Sequence, residues 1–252
     1  MTRWKDEPWA KVPVLIAELE TMYGKAVAAG RISNPTDTAV RKIIQHREWC
    51  DVLRPDVVAQ VVDDLDVVYV PKGIGPGPGI CFPIRDLSGR VERLHIRLLE
   101  DQPEFYKMKY MSLMDTERFI GPPWVGTDEA TMQAIVDTGD VFMVEGPLDL
   151  LAIRVMGCTL PTLCPTSKKL TEDHWDYLRV LGVQRIVTMF DHEISGVGTK
   201  AANALSRNRY GIESITIRCP AKDPADACRR PQSARALRAL MRNLAQNLDS
   251  YL

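Results

Sequence analysis

The strongest constraint on this chain is the alternation of short apolar runs with helical segments that begins at residue 141. Val141 to Val144 is an unbroken apolar run, Leu148 to Val155 has helical spacing, Cys158 to Leu163 reads as a short strand and Glu172 to Leu181 as a helix. Arg185 to Phe190 is another strand, Gly196 to Asn208 a helix and Ile212 to Ile217 a last strand. Strands that are apolar along their whole length are buried on both faces, so the pattern predicts an α/β fold with a parallel sheet covered by helices on either side. From Pro231 to Leu252 the spacing predicts an amphipathic helix, with Leu237, Leu240, Met241, Leu244 and Leu248 on one side and Arg235, Arg238 and Arg242 elsewhere. Packing on a core is the default for such a helix, and its arginines also form a basic stripe that could follow a phosphate backbone.

Ahead of residue 141 the periods differ. Val14, Leu15, Ala17, Leu19, Met22 and Tyr23 fall at helical spacing. A second helix is expected from Thr36 or Thr38 towards Trp49, and a third opens at Pro55 and carries Val57, Val58, Val61 and Val62. Arg41, Lys42, His46, Arg47 and Arg54 offer this bundle a basic face. The period then changes: Val67 to Val70 reads as a strand, and Pro71 to Gly79, rich in glycine and proline, as a loop. That loop lacks Walker spacing and its prolines remove backbone donors, which favours a hinge over a phosphate cradle. Ile80 to Ile84 and Val91 to Leu99 predict an antiparallel hairpin turning at Ser88-Gly89, with Arg85, Arg90, Arg93, Arg97, Lys107 and Lys109 on or near it. The expected organisation is a helical region over 1–78, a basic β-rich subdomain over 79–139, an α/β domain over 140–230 and a terminal helix over 231–252.

Composition narrows the function classes. The 252 residues exceed one average domain, and 45% hydrophobic with 26% charged residues exclude wholesale disorder, a collagenous repeat or a coiled coil. The net charge of −1 means that any nucleic-acid surface must be local. The 6 cysteines include no C-x-x-C pair, so zinc-ribbon spacing is absent, no zinc is expected, and the thiols read as buried in a reducing compartment. Lys5, Asp6 and Glu7 occupy the opening where a signal peptide needs an apolar run, and no stretch approaches the ~20 apolar residues of a membrane span. A cytoplasmic protein without a membrane partner is expected.

Chemistry is carried by where the acids fall. Glu145 follows the strand Val141 to Val144, with Asp149 four residues on; Asp191 and Glu193 follow the strand ending at Phe190; Asp223 and Asp226 follow the last strand. In an open parallel sheet, ligands bind at the carboxyl ends of the strands, so these loops can meet at one edge. Crowded carboxylates require a cation, and hard divalent cations take oxygen ligands, which points to Mg²⁺ or Mn²⁺. One acid at a strand-to-helix junction is more often an N-cap. Acids at successive strand ends favour a metal site. His192 reads as a surface residue, and His46, His95 and His174 as structural or solvated.

The run Val144-Glu145-Gly146-Pro147-Leu148-Asp149, then Phe190-Asp191-His192-Glu193-Ile194-Ser195-Gly196, then Lys222-Asp223-Pro224-Ala225-Asp226 resembles the Toprim signature shared by bacterial DnaG-type primases, topoisomerases and related nucleases. The third motif leans towards primases. So does Ile80-Cys81-Phe82-Pro83-Ile84-Arg85-Asp86 with Gly89-Arg90-Val91, which is similar to the opening of the primase catalytic core. The resemblance spans roughly residues 50–230. It implies a Toprim domain preceded by a helical and a small β subdomain, and a core that makes short RNA primers on single-stranded DNA from ribonucleoside triphosphates. On that resemblance Glu145, Asp191, Glu193 and Asp223 hold metal or metal-bound water, with Asp149 and Asp226 in support. Arg85, Arg97, Lys107, Lys109 and Lys222 meet template or nucleotide phosphates. Lys168 and Lys169 read equally well as phosphate contacts or as solvated charges.

The chain departs from the pattern in three ways. Glu193 replaces the second acid of the usual Asp-x-Asp, lengthening that ligand by one methylene. No cysteine or histidine cluster fits the zinc module that normally precedes the core, and no Walker sequence marks a helicase. The expectation is a compact core, either complete in a reduced system such as a phage or mobile element or reliant on a separate helicase or initiator. Two other readings stay open: a Toprim nuclease using the same metal site, and a catalytically weak module that binds single-stranded DNA or a replication protein.

Overall fold

The computed structural model describes residues 35–50, 53–70, 72, 78–85, 91–99, 109–114, 124–166, 170–190 and 210–248. The helix expected around Val14, the turn at Ser88-Gly89 and the helix expected from Gly196 to Asn208 lie outside the described residues. The chain divides into two units, one of residues 1–46 and 55–120, the other of residues 47–54 and 121–252.

The first unit opens with α1 (Pro35–Arg47) and α2 (Pro55–Asp64), each starting on a proline, whose missing amide hydrogen costs nothing in the first turn. Val58, Val61 and Val62 recur at helical spacing and are buried. Four strands follow as an antiparallel meander in the order β1-β2-β3-β4: β1 (Val68–Val70), β2 (Gly79–Arg85), β3 (Val91–Leu98) and β4 (Tyr110–Met114). Cys81 pairs with Ile96 and Phe82 with His95, so side chains alternate between an apolar face (Cys81, Leu94, Ile96, Leu98) and a mixed one (Ile80, Phe82, Ile84, Arg93, His95, Arg97). Gly79 begins β2 because a Cβ there would lie 2.6 Å from Ile96 Cγ2 and 2.9 Å from the Arg97 carbonyl. Ile84 pairs with Arg93 but Arg85 with Val91, a bulge that leaves Glu92 extra.

The second unit is built on four parallel strands in the order β6-β5-β7-β8: β5 (Asp140–Val144), β6 (Thr162–Leu163), β7 (Arg185–Met189) and β8 (Glu213–Thr216). Its helices are α3 (Glu129–Thr138), α4 (Pro147–Val155), α5 (Glu172–Val180), the short α6 (Pro224–Ala227) and α7 (Pro231–Asn247). Val141 to Val144 and Ile186 to Met189 are buried throughout, as two-sided cover requires. Trp124, Ile135, Val141, Met143, Leu163, Trp175, Leu178, Val183, Ile186 and Ile212 form one apolar cluster. Residue by residue α4 is almost wholly buried, and Arg154, half-buried, turns its guanidinium to Asp128 Oδ2 at 2.8 Å. The seam of α7 is Ala234, Leu237, Met241 and Leu244, all buried, with Arg235 and Arg242 exposed.

The structure refines the sequence reading at several edges. The strand expected over 158–163 shortens to Thr162–Leu163, and the terminal helix runs over Pro231–Asn247, with 249–252 outside the described residues. Strand β4 and helices α3 and α6 were not evident from periodicity. For α3 the signals are local: Asp128 caps it through the Thr131 amide at 3.0 Å, and Gly139 ends it at φ +71. Among the described residues, no helix is long and apolar enough to cross a membrane.

At the N-terminal ends of β5 and β7, Arg185 Nε donates to Asp140 Oδ1 at 2.8 Å and Nη2 to Oδ2 at 2.9 Å, a two-point pair largely shielded from solvent. Asp140→Asn removes the charge and half the fork. It should lower stability by about 2 kcal/mol, a drop of roughly 4–8 °C in the melting temperature read by circular dichroism.

Candidate active site

Parallel strands all end at one edge, and here that edge is acidic. Strand β5 runs directly into Glu145, β6 into Cys164-Pro165-Thr166, and β8 leads to Asp223. From β5 the chain goes to β6 on one side and then to β7 on the other, so the topological switch point lies between β5 and β7. Glu145 ends the strand on one side of that crevice. Asp191 and Glu193 follow β7 in sequence and lie outside the described residues.

Local chemistry fixes the described acids. Gly146 and Pro147 start α4 immediately after Glu145, whose carbonyl accepts the Cys164 thiol at 3.2 Å and so ties β5 to the end of β6. Asp149, in the first turn of α4, is 8% exposed, and its Oδ1 accepts the Ala225 amide at 3.1 Å. Asp223 caps α6, its Oδ1 accepting the Asp226 amide at 2.6 Å. Arg47 Nη2 lies 3.8 Å from Asp223 Oδ1, and the exposed Lys222 ammonium lies 3.8 Å from Oδ2. Asp226 accepts from Arg229 Nη1 at 3.3 Å.

The thiols beside these acids register their crowding. Burial pushes the Cys219 thiol up to about 12, with Asp223, Asp149 and Asp226 adding to the rise against an opposing bond from the Ala221 amide. Burial also raises Cys164, and Asp149 and Glu145 raise it further. Asp149 thus acts on both thiols, with Glu145 beside it at Cys164 and with Asp223 and Asp226 at Cys219. Among the described residues no three ligand side chains meet closely enough to hold an ion by themselves. The donor chemistry is carboxylate oxygen throughout, which fits a hard divalent cation.

In the first unit, the mixed face of β3 carries a stack of polar rings. The Arg97 guanidinium lies over the Tyr110 ring, 5.0 Å from its centre, and Tyr110 stacks on His95 with centroids 4.8 Å apart. His95 Nδ1 meets Ser112 Oγ at 2.7 Å. Arg97 Nε is buried without a hydrogen-bond partner, while Lys109 is exposed and its carbonyl accepts the Leu98 amide at 3.0 Å. Arg85 ends β2 opposite Val91. Lys107, Lys168 and Lys169 lie outside the described residues.

No family model matches the chain. A DNA primase of Deinococcus radiodurans is 31% identical to it over 153 residues, 59% of this chain and 25% of that protein. The chain thus spans about a quarter of the length of the curated relative it matches. The RNA polymerase domain of Mycobacterium tuberculosis primase DnaG superposes with a TM-score of 0.64 at 17% identity, covering 92% of this chain and 83% of that one. The same domain in complex with a double-stranded DNA oligomer bearing a 6-nucleotide overhang gives 0.66 at 16% identity, covering 93% and 79%. A DnaG primase catalytic domain bound to single-stranded DNA gives 0.62 at 20% identity, covering 91% and 77%. The chain has the fold of the DnaG-type primase catalytic core.

Glu145, Asp149, Asp223 and Asp226, named in the sequence from the ends of strands, lie in the described part of this fold. The partners of those acids were not evident from the sequence. Arg47 was read only as part of a basic helical face and Trp49 only as a helix end, yet both meet the third acidic motif. The partner lies 176 residues away in the case of Trp49, and no local pattern signals such a contact. His174 reads correctly as structural: it is buried, and its Nδ1 accepts the Thr171 amide at 3.2 Å at the start of α5.

Burial, with Arg93 beside it, lowers the His95 pKa from 6.5 to about 4. The unfolded chain therefore takes up this proton first as pH falls. Between pH 6.5 and about 4 the unfolded state binds more protons than the folded one, so stability is full above pH 6.5 and declines to a floor below about 4. The loss should total about 3 kcal/mol. In His95→Phe, which keeps a stacking ring but cannot titrate, denaturant midpoints measured across this range should lack that component.

Proposed function

We propose that the chain is a Toprim-type RNA polymerase core that makes short RNA primers on single-stranded DNA. Ribonucleoside triphosphates and the template are its substrates, it acts in the cytoplasm, and a separate helicase or initiator would supply template choice. The observation that carries this reading is the strand order β6-β5-β7-β8, which puts the first acidic motif at the switch point of a parallel sheet and the third on the same edge. The D. radiodurans relative is named as a DNA primase, and two of the similar domains were solved with DNA, one with a single strand and one with an overhanging duplex.

In this proposal Glu145, Asp191, Glu193 and Asp223 hold the cations. The chemistry that Mg²⁺ or Mn²⁺ would supply there is charge screening on the triphosphate and a lowered pKa for the primer 3′-hydroxyl, which would displace pyrophosphate. Asp149 supports the third motif by holding the Ala225 amide, and Asp226 by bracing Arg229. Arg97, held over Tyr110 with its Nε without a hydrogen-bond partner among the described residues, and the exposed Lys109 neutralise template or nucleotide phosphates. Arg85, Lys107, Lys168, Lys169 and Lys222 are further cationic contacts for the same anions.

Labelled ribonucleotide incorporation on single-stranded DNA with Mg²⁺ or Mn²⁺ tests this. The intact chain should give short products, and Asp191→Ala should lose at least about 100-fold in rate. Cleavage of the DNA without products would transfer the reading to a nuclease. DNA binding with neither activity would leave a binding module.

A further inference from the structure

Arg47 ends α1 and residues 48–50 follow it ahead of α2, yet all four belong to the second unit. Two of them meet the third acidic motif and the other two meet the residues just after it. Arg47 Nη2 lies 3.8 Å from Asp223 Oδ1; Glu48 pairs with Arg229; Trp49 Nε1 donates to the Ala225 carbonyl at 3.0 Å; and the Cys50 amide donates to the Cys228 carbonyl at 3.0 Å. The contacts are built to last. Trp49 is 5% exposed, and Glu48 sits at φ +50, a left-handed conformation that a glutamate adopts only when its surroundings hold it there.

The chemistry of Asp223 explains what this segment contributes. Its Oδ1 is taken by the Asp226 amide and faced by Arg47, whereas among the described residues Oδ2 faces Lys222, a side chain that is 68% exposed. Arg47 is shielded, and its Nε is buried with no hydrogen-bond partner. A buried donor left unpaired is costly, so what Arg47 supplies here is charge and position rather than a full set of hydrogen bonds.

We propose that Arg47 is a positioning residue for the reaction proposed above, on which this inference rests. It clamps Asp223 through Oδ1, leaves Oδ2 for the cation, and makes residues 47–50 a working part of the acidic site. Trp49 and Cys50 hold the turn of α6 against the same segment.

The test uses the full chain as wild type, Arg47→Ala, Arg47→Lys and, as a control at the opposite edge of the sheet, Asp140→Asn. Amide hydrogen exchange of the 219–230 region is read by mass spectrometry, alongside kcat and the nucleotide KM for primer synthesis. Arg47→Ala should speed exchange in 219–230 by about tenfold while β5 and β7 stay protected. Its kcat should fall about 10- to 100-fold with KM changed less than about twofold, as expected for a misplaced ligand. Arg47→Lys should recover part of both, since it keeps the charge but not the reach and shape of the guanidinium. Asp140→Asn should lower the melting temperature and leave kcat and 219–230 exchange as in wild type. Unchanged exchange in both Arg47 variants would overturn the clamp, as would a kcat that tracks melting temperature alike in Arg47→Ala and Asp140→Asn. If the wild type makes no product at all, the primase reading falls, and the exchange measurement alone decides whether Arg47 holds the motif.

Discussion

The parallel pairing of β5 with β7, in register from Asp140 with Arg185 to Val144 with Met189, sets what the rest of the second unit can do. Parallel neighbours start together and stop together. The ion pair of Asp140 with Arg185 closes one end of this pair, and the chain leaves the other end through Glu145 and, beyond Phe190, through Asp191. With β6 and β8 added on the two flanks, every connection that follows a strand emerges on the same edge. Acids at those positions are concentrated there by topology, before any side-chain preference acts. The apolar burial of β5 and β7 is thus what makes the acidic edge possible, and the crowding of charge is a cost that the local hydrogen bonds and arginines must offset.

How much of this was legible in the sequence depended on the range of the interaction. The strands β5 and β7 were readable because burial on both faces forces a continuous apolar run, and α7 was readable because one-sided burial forces a stripe. Both are signals that each segment carries within itself. Strand β4 was missed because Tyr110 to Met114 contains two methionines and no β-branched residue, and its place is set by pairing with β3. Helix α6 is only four residues long, too short for a period, and exists because Asp223 caps it. The strand expected over 158–163 is shorter because only Thr162 and Leu163 pair with β5.

The mixed face of β3 makes the same point. Arg93, His95 and Arg97 alternate with Leu94, Ile96 and Leu98, a pattern that normally means one wet face and one dry. In the fold Arg93 and His95 are 9% and 7% exposed. Flat groups solve the problem of burying them: the rings of Tyr110 and His95 stack, the Arg97 guanidinium lies over Tyr110, and His95 Nδ1 meets the Ser112 hydroxyl. Burial then keeps His95 uncharged near neutrality, which spares the face a further positive charge beside Arg93 and Arg97.

Charge balance links the two ends of the chain. A net charge of −1 gives no hint of where charges gather, yet Asp149, Asp223 and Asp226 share one locality and meet cations drawn from separate segments: Arg47 from the end of α1, Lys222 from the loop before α6, and Arg229 from just after it. Lys222 and Arg229 are near in sequence and exposed, so solvent weakens what they contribute. Arg47 is distant in sequence and shielded, and its pairing with Asp223 acts in a medium where charge counts for more. Holding it there requires a long loop to close, and the buried Trp49 supplies apolar area for that closure while its indole nitrogen donates to the Ala225 carbonyl. The third acidic motif is therefore assembled from two parts of the sequence, and the part that lies first in the chain contributes its best-shielded positive charge.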